Sequence, residues 1–180
     1  DMFVAKNHDE LLFFTSLGRV YSMPVYEVAE GSRTAKGRAI INLLPLVENE
    51  TVVRLLCMRD MEKKNIVMVT KKGIIKKTDA MAFAKIRVSG IRALGLRDDD
   101  QLSFCGVSSG NDFIVLATAQ GQGIRFHEKE VRAMGRQAAG VIGIRLKDEK
   151  DSVVGMEIID DEEKNLLFAT AKGFGKRTRV

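Results

Sequence analysis

The feature of this 180-residue chain that most constrains its fold is an internal repeat of about 50 residues. Four segments share one order of residues: a short apolar run, then Thr, two variable residues and Gly, and then a second run. They are LLFFTSLGRVYSM, NIVMVTKKGIIKKT, FIVLATAQGQGIRF and NLLFATAKGFGKRT. Two such runs joined by a short Gly-containing segment are typical of a β-hairpin. Each repeat is therefore predicted to contribute one hairpin, with its turn at Gly18, Gly73, Gly121 or Gly173.

A second shared element follows the first three hairpins. It reads SRTAKGRAIINL, KIRVSGIRALGL and GRQAAGVIGIRL, and its central glycines, Gly37, Gly90 and Gly140, lie 17 to 19 residues beyond the hairpin glycines. Apolar residues stand four and six positions after each central glycine, as Leu94 and Leu96 do, which is the spacing of a strand with one buried face. An acidic connection and one more apolar run, such as VVGMEII, follow. The sequence thus predicts about four strands per repeat.

Short strands that recur at this period favour an all-β, propeller-like fold of four-stranded blades, because a lone four-stranded sheet cannot bury both of its faces. Helical periodicity is weak, and only EKEVRAM is expected to form a helical turn. We expect one domain over residues 1–180, with repeats at approximately 1–50, 51–100, 101–150 and an incomplete 151–180, roughly three and a half in all. We also expect the natural protein to continue on both sides.

Positive charge is concentrated in particular segments of the repeat. The chain has 29 Lys and Arg against 24 Asp and Glu, a formal net charge of +5. From Lys71 to Arg92 there are seven cations and the single acid Asp79. The acids gather instead in the connections, at Glu48, Glu50, Asp98 to Asp100, Asp148 to Asp151 and Asp160 to Glu163. Because equivalent loops recur on the same side of a propeller, we expect cations and anions on different surfaces, with one basic rim.

A spaced row of Lys and Arg suits duplex DNA, because it neutralises regularly spaced phosphates without reading bases. The candidates for phosphate contact are Arg33, Lys36, Arg38, Lys71, Lys72, Lys76, Lys77, Lys85, Arg87, Arg92, Arg125, Arg132, Arg136, Arg145, Lys172, Lys176 and Arg177. A merely solvated surface is the alternative for any single one of them. The seven loop and turn glycines are expected to serve turns first and ligand contact second.

Several long stretches carry a family resemblance. They are NHDELLFFTSLGRVYSMPVYEV, AKGRAIINLLPL, VRAMGRQAAGVIGIRL and ATAKGFGKRT. Over essentially its whole length the chain resembles the C-terminal, DNA-wrapping domain of DNA gyrase A subunits. The homologous domain of topoisomerase IV is the nearest rival.

The resemblance implies a β-pinwheel, a ring of six four-stranded blades that exchange strands and wrap DNA around a basic outer rim. In that family the domain serves an A2B2 holoenzyme that introduces negative supercoils, with ATP and Mg used by other domains. The family's Gln-, Arg- and Gly-rich box is absent here and is expected upstream of Asp1. The loops around Gly37, Gly90 and Gly140 resemble degenerate versions of it.

No motif indicates catalysis or a cofactor. There is no GxxxxGK[ST] loop, and the two histidines, His8 and His127, are more than a hundred residues apart. The two cysteines, Cys57 and Cys105, have no partner at metal-binding or redox spacing, so they are expected to be buried thiols. We expect no metal, no small-molecule substrate and no membrane span, and a location in the cytoplasm with the nucleoid.

These observations together predict sequence-nonspecific binding, bending and wrapping of duplex DNA by a non-catalytic part of a type II topoisomerase. The alternatives are the topoisomerase IV domain and a propeller-type scaffold for protein partners. A scaffold would expose an apolar or aromatic patch in place of a basic rim.

Overall fold

The computed structural model describes residues 3–161 and 163–179, so Glu162 of the predicted acidic connections and the terminal Val180 lie outside the described residues. Its regular structure is thirteen β-strands and four short 3-10 helices. The strands are β1 (Glu10–Thr15), β2 (Arg19–Pro24), β3 (Val52–Met58), β4 (Asn65–Thr70), β5 (Ile74–Asp79), β6 (Ile91–Arg92), β7 (Leu102–Ser108), β8 (Phe113–Thr118), β9 (Gly123–His127), β10 (Val141–Ile142), β11 (Val153–Ile159), β12 (Asn165–Ala169) and β13 (Gly175–Arg179). The predicted all-β fold is confirmed.

Four antiparallel hairpins form where the repeat predicts them, as β1–β2, β4–β5, β8–β9 and β12–β13. Each turn is closed by a hydrogen bond from the amide of the hairpin glycine to the carbonyl of the repeated threonine, as from Gly18 N to Thr15 O at 2.9 Å. All seven glycines of the two shared elements have a positive φ. That conformation costs glycine little because it lacks a Cβ.

Neighbouring repeats exchange a strand. The first sheet has the order β3-β1-β2-β6 and the second has the order β7-β4-β5-β10. The outer strand of the first sheet thus comes from the second repeat, through the pairs Arg19 with Arg92 and Val20 with Ile91. The outer strand of the second sheet comes from the third repeat in the same way. The strand exchange implied by the family resemblance is therefore present.

The short outer strands do not lie where the apolar spacing predicted them. They begin directly after the central glycines, whereas Leu94 and Ile144, four positions after those glycines, pack into the core outside any strand. The reason is local. The carbonyl of Gly18 accepts hydrogen bonds from the amides of both Ala93 and Leu94, at 2.8 and 3.0 Å, which ends the ladder after two residues.

The sheets converge at one edge. Strand β7 contacts both β3 and β11, so these three strands form the inner edge, and β6, β10 and the loops leading to them form the outer edge. One apolar core lies between the first and second sheets and includes Phe14, Met68 and Leu94. A second lies between the second and third sheets and includes Val69 and Leu116. Strand β4 is consequently buried on both faces, and a third apolar cluster, which includes Leu11 and Leu44, covers the other face of β1, so both strands have unbroken apolar sequences.

Within the described residues the third sheet has three strands, β11-β8-β9, and the fourth has only β12 and β13. Side chains of the fourth hairpin are mostly exposed, and Leu167 is 75% exposed while its counterpart Val67 is fully buried. The helical turn predicted in EKEVRAM is a 3-10 helix at Glu128–Glu130. No helix in the described part of the chain is long and apolar enough to cross a membrane.

Candidate nucleic-acid interface

A shallow cleft on the outer edge gathers four arginines. Arg19, Arg87, Arg92 and Arg136 line it together with Ser89–Ile91 and Gln137, and its volume is about 370 Å³. Three of these arginines were predicted to contact phosphate, and they come from two different repeats. No carboxylate is among the lining residues, and in the described part of the chain Arg87, Arg92 and Arg136 form no ion pair. Four guanidinium groups in one concave surface repel one another and favour a bound polyanion.

Arg19 is the member of this cleft that the sequence did not reveal. It begins β2 beside the hairpin turn, directly opposite Arg92 on the exchanged strand β6. Its Nη2 donates to the carbonyl of Ser89 at 2.6 Å, and its Nε donates to the hydroxyl of Tyr21 at 3.1 Å. Glu50 Oε1 lies 4.0 Å from Arg19 Nε, and the Arg19 side chain keeps 38% exposure. Only the strand exchange, which local sequence patterns do not show, brings it into the cleft.

The loops around the central glycines Gly37, Gly90 and Gly140 are called the rim loops below. In the second and third of them the glycine lets the loop pack tightly on the preceding sheet. A Cβ at Gly90 would lie 2.6 Å from the ring of Tyr21, and one at Gly140 would lie 2.5 Å from the carbonyl oxygen of Ile75. A Cβ at Gly37 would meet nothing within 4 Å among the described residues. The second and third loops are therefore fixed by packing, and their glycines serve that close approach.

Two predicted phosphate contacts, Lys76 and Lys77, are wrong, because their side chains are buried. Lys76 is fully buried and Lys77 is 7% exposed. Both lie on β5, whose two faces are covered by the neighbouring sheets, so the expected solvent-facing side of the hairpin does not exist here. Their ammonium groups bind protein atoms, and neither is free to reach DNA in this structure.

Lys76 binds backbone carbonyls at the outer edge. Its Nζ donates to Ala93 O at 2.7 Å and to Arg136 O at 2.5 Å. Burial, and secondarily the positive charge of Arg136, lower the pKa of Lys76 from 10.5 to about 8. This lysine thus connects the loop of the second repeat to the loop of the third.

Lys77 points to the opposite face of β5 and joins a buried ion pair. Its Nζ donates to Glu128 O at 2.6 Å and lies 3.4 Å from Glu128 Oε2. The Glu128 carboxylate also accepts hydrogen bonds from Gly110 N and Asp112 N, at 2.7 and 3.0 Å, and from Ser108 Oγ at 2.8 Å. Burial raises the pKa of Glu128, but these hydrogen bonds and the Lys77 charge outweigh burial, so its pKa lies below the ordinary value.

Cations and anions are not sorted onto separate surfaces at the hairpin turns, contrary to the sequence-based expectation. Lys71 and Lys72 are exposed, but Lys72 N donates to Asp100 Oδ1 at 3.0 Å and Lys72 Nζ donates to Asp98 O at 3.3 Å. The third repeat has the same arrangement, since the amide of Gln120 donates to Asp151 Oδ1 at 3.0 Å. The acidic connections hold the turns, so the turn lysines lie in mixed charge.

The remaining predicted cations keep solvent-exposed side chains. They are Arg33, Lys36, Arg38, Lys85, Arg125, Arg132, Arg145, Lys172, Lys176 and Arg177. The first three lie in the exposed stretch 31–39, which precedes the 3-10 helix Ile40–Asn42. On β9 the guanidinium of Arg125 lies 4.1 Å above the ring of Phe113.

Comparison with known proteins identifies the family. The model of the DNA gyrase C-terminal domain, a beta-propeller, matches residues 9–57, 64–109, 112–160 and 164–180. The chain belongs to this family. Each matched segment begins one residue before the first strand of a hairpin, so the family's repeat unit coincides with the structural one.

Relatives and solved structures agree with this family. The chain is 46% identical over 180 residues to the DNA gyrase A subunit of Klebsiella oxytoca, an alignment that covers 99% of this chain and 20% of that protein. It therefore spans about a fifth of the length of the curated relatives it matches. The crystal structure of the C-terminal domain of DNA topoisomerase IV superposes with a TM-score of 0.87 at 29% identity, over 97% of this chain and 54% of that one. The C-terminal domain of DNA gyrase A gives a TM-score of 0.76 at 22% identity, over 96% and 55%, and shows the fold alone.

Proposed function

We propose that the chain binds duplex DNA without sequence preference along its outer edge and bends the duplex around that edge. The observation that carries this proposal is the cleft of Arg19, Arg87, Arg92 and Arg136, which concentrates positive charge with no lining carboxylate. A guanidinium group can donate two parallel hydrogen bonds to the oxygens of one phosphate, so such a cleft suits the DNA backbone. Contacts of this kind fix the position of a duplex without reading its bases.

Repetition extends the cleft into a track. The rim loops of the second and third repeats lie at the outer edges of the first and second sheets, and each carries exposed cations, such as Lys85 and Arg132. Because the sheets converge at their inner edge, the outer edge is convex, and a duplex that follows the cations must bend. The bending energy is offset by the additional phosphate contacts that the curved path allows.

The wider role follows from the family and is part of the same proposal. We place the chain in the A subunit of an ATP-dependent type II topoisomerase that introduces negative supercoils, in an A2B2 assembly with a B subunit. In that assembly other domains use ATP and Mg, and this chain wraps DNA without catalysing a step. We place the assembly in the cytoplasm, with the nucleoid.

A topoisomerase IV domain is the second candidate, favoured by the TM-score of 0.87. The 46% identity to a gyrase A subunit favours the first. Wrapping separates the two, because a gyrase-like chain is expected to change the linking number of a relaxed plasmid closed by ligase in its presence. A chain that binds DNA but leaves the linking number unchanged would favour the second candidate.

The test of DNA binding is a titration of a fluorescent random-sequence duplex at several salt concentrations. We expect the logarithm of the association constant to fall steeply and linearly with the logarithm of salt concentration. A second duplex of unrelated sequence serves as the control and should bind equally well. No binding at low salt would contradict the proposal and favour a scaffold for protein partners.

A further inference from the structure

The buried ammonium group of Lys76 lies where the outer edges of two sheets meet. One of its acceptors, Ala93 O, follows the exchanged strand β6 at the edge of the first sheet. The other, Arg136 O, belongs to the loop that leads to β10 at the edge of the second sheet. A backbone hydrogen bond from Gly95 N to Ala138 O, at 3.1 Å, joins the same two loops nearby. Lys76 therefore spans the junction between consecutive rim loops.

Nothing in the hairpin itself requires a lysine at this position. The residue three positions after the hairpin glycine is Tyr21 in the first repeat and Ile124 in the third, while the fourth repeat has Lys176, whose side chain is exposed. Within its sheet Lys76 stands opposite Met68, which in turn stands opposite Cys105. The core that it faces is otherwise apolar and includes Phe14. Burying an ammonium group among such residues is costly unless it makes strong hydrogen bonds, and no described carboxylate pairs with it.

We propose that Lys76 is a positioning residue, which holds the second and third rim loops at the spacing that phosphate binding requires. The inference rests on the DNA binding proposed above. Arg92 lies one residue before the first acceptor, and Arg136 is itself the second acceptor, so the two hydrogen bonds fix the backbone beneath two arginines of the cleft. Fixing both backbones lets the two guanidinium groups meet the phosphates without a loss of loop entropy.

The arrangement makes DNA affinity depend on pH. Charge-assisted hydrogen bonds are about twice as strong as neutral ones, so the neutral amine that forms above a pKa of about 8 holds the loops less firmly. Among the described residues, the charged group that faces Lys76 is the guanidinium of Arg136. Cys105 stands in the same cross-strand row as Lys76, on the far side of Met68, and burial raises the pKa of its thiol, so the thiol stays neutral.

Folding stability should change in the opposite direction. The pKa of Lys76 is lower in the folded chain than its ordinary value of 10.5, so between about pH 8 and 10.5 the unfolded chain binds more protons. Deprotonation of Lys76 therefore stabilises the fold as the pH rises. A loss of DNA affinity over this range that came from Lys76 would not be accompanied by a loss of thermal stability from the same group.

The experiment titrates the random-sequence duplex with the 180-residue chain between about pH 7 and pH 9, at fixed salt concentration. The variants are Lys76→Met, which keeps an unbranched apolar side chain but removes the ammonium donor, and Lys71→Met, which removes an exposed lysine from the same hairpin. We expect the wild-type affinity to fall roughly fivefold over this range, with a midpoint near 8. Lys71→Met should show the same fall, and Lys76→Met should bind weakly at both ends with a flat profile.

The outcomes separate this inference from the function on which it rests. Normal wild-type binding with no fall, or a Lys76→Met profile that falls like the wild type, would overturn the positioning role alone. Absence of wild-type binding at any pH would overturn the DNA-binding proposal and this inference with it. If Lys76→Met does not fold, the test is a pH titration of the wild-type chain in which the NMR chemical shift of the Lys76 side chain is followed. Its midpoint must coincide with the fall in affinity, and a midpoint above about 10 would contradict the inference.

Discussion

Breaking the ion pair between Lys77 and Glu128 by removing one partner should strongly weaken the contact between the second and third sheets. Replacing Glu128 by Ala removes the acceptor of the Ser108 hydroxyl and of the amides of Gly110 and Asp112, and it leaves Lys77 without its carboxylate. Removing one partner of a buried, hydrogen-bonded pair costs about 3–5 kcal/mol. Against a total free energy of unfolding of about 5–15 kcal/mol, this single change should come close to unfolding the chain.

The assay is urea-induced unfolding followed by circular dichroism, with Glu130→Ala as the matched control. Glu130 lies in the same 3-10 helix, is exposed, and accepts one hydrogen bond from His127 N at 3.1 Å. Losing that capping contact should cost about 0.5–1 kcal/mol. Coupling is measured with Lys77→Met and the double variant, which should be less destabilised than the sum of the single changes by about 1–3 kcal/mol. A cost below about 1 kcal/mol for Glu128→Ala, or strict additivity, would refute the reasoning.

Three further outcomes follow from the same structure. Because the folded pKa of Glu128 lies below its ordinary value of 4.5, the stability it contributes is present above 4.5 and is lost as the pH falls through the folded pKa, so Glu128→Gln should flatten the acid limb of a stability profile measured by urea unfolding. Both Gly90 and Gly121 have a positive φ, but a Cβ at Gly90 would lie 2.6 Å from the ring of Tyr21, whereas one at Gly121 would meet no described residue within 4 Å, so Gly90→Ala should lower the melting temperature far more than Gly121→Ala. Burial raises the pKa of Cys105, which is only 5% exposed, so mass spectrometry should find this thiol unmodified by iodoacetamide until the chain unfolds, and rapid labelling of the folded chain would contradict its placement.

The hairpins could be predicted from the sequence because they are local. A repeated threonine and glycine three residues apart close each turn, and the same hydrogen bond recurs in all four repeats, as from Gly73 N to Thr70 O at 3.1 Å. The repeat period then implies stacked sheets, because isolated hairpins cannot bury their apolar faces. Fold class and strand order along the chain therefore follow from residues close together in sequence.

The composition of the rim could be predicted only in part. Arg87, Arg92 and Arg136 stand in basic loops, which the repeat identifies, but Arg19 joins them through pairing between strands some 70 residues apart. Nothing within a single hairpin indicates that pairing. Arg19 could therefore be assigned to this cleft only from the three-dimensional structure, which shows the strand exchange.

The burial of Lys76 and Lys77 could not be predicted, because charge patterning assumes that a basic hairpin has a solvated face. Strand β5 lies between two neighbouring sheets, and each lysine finds an acceptor on a different one, Lys76 at Ala93 O and Lys77 at Glu128 O. Both lysines donate hydrogen bonds to backbone carbonyls, which every residue type supplies, and the carboxylate that pairs with Lys77 lies 51 residues away in sequence. The sequence therefore contains no signal that separates these structural lysines from the exposed cations of the rim.

The most direct test of the rim account compares the salt dependence of DNA binding by the wild type with that of the triple variant Arg19→Ala, Arg92→Ala and Arg136→Ala. The slope of the logarithm of affinity against the logarithm of salt concentration is negative, and each lost phosphate contact should make it shallower by about 0.9. The variant should therefore bind more weakly, with a slope that is shallower by roughly two to three. Lys71→Ala, in the mixed charge of a hairpin turn, serves as the control and should change the slope by less than one such contact. An unchanged slope and affinity in the triple variant would contradict the account and locate the phosphate track on another surface.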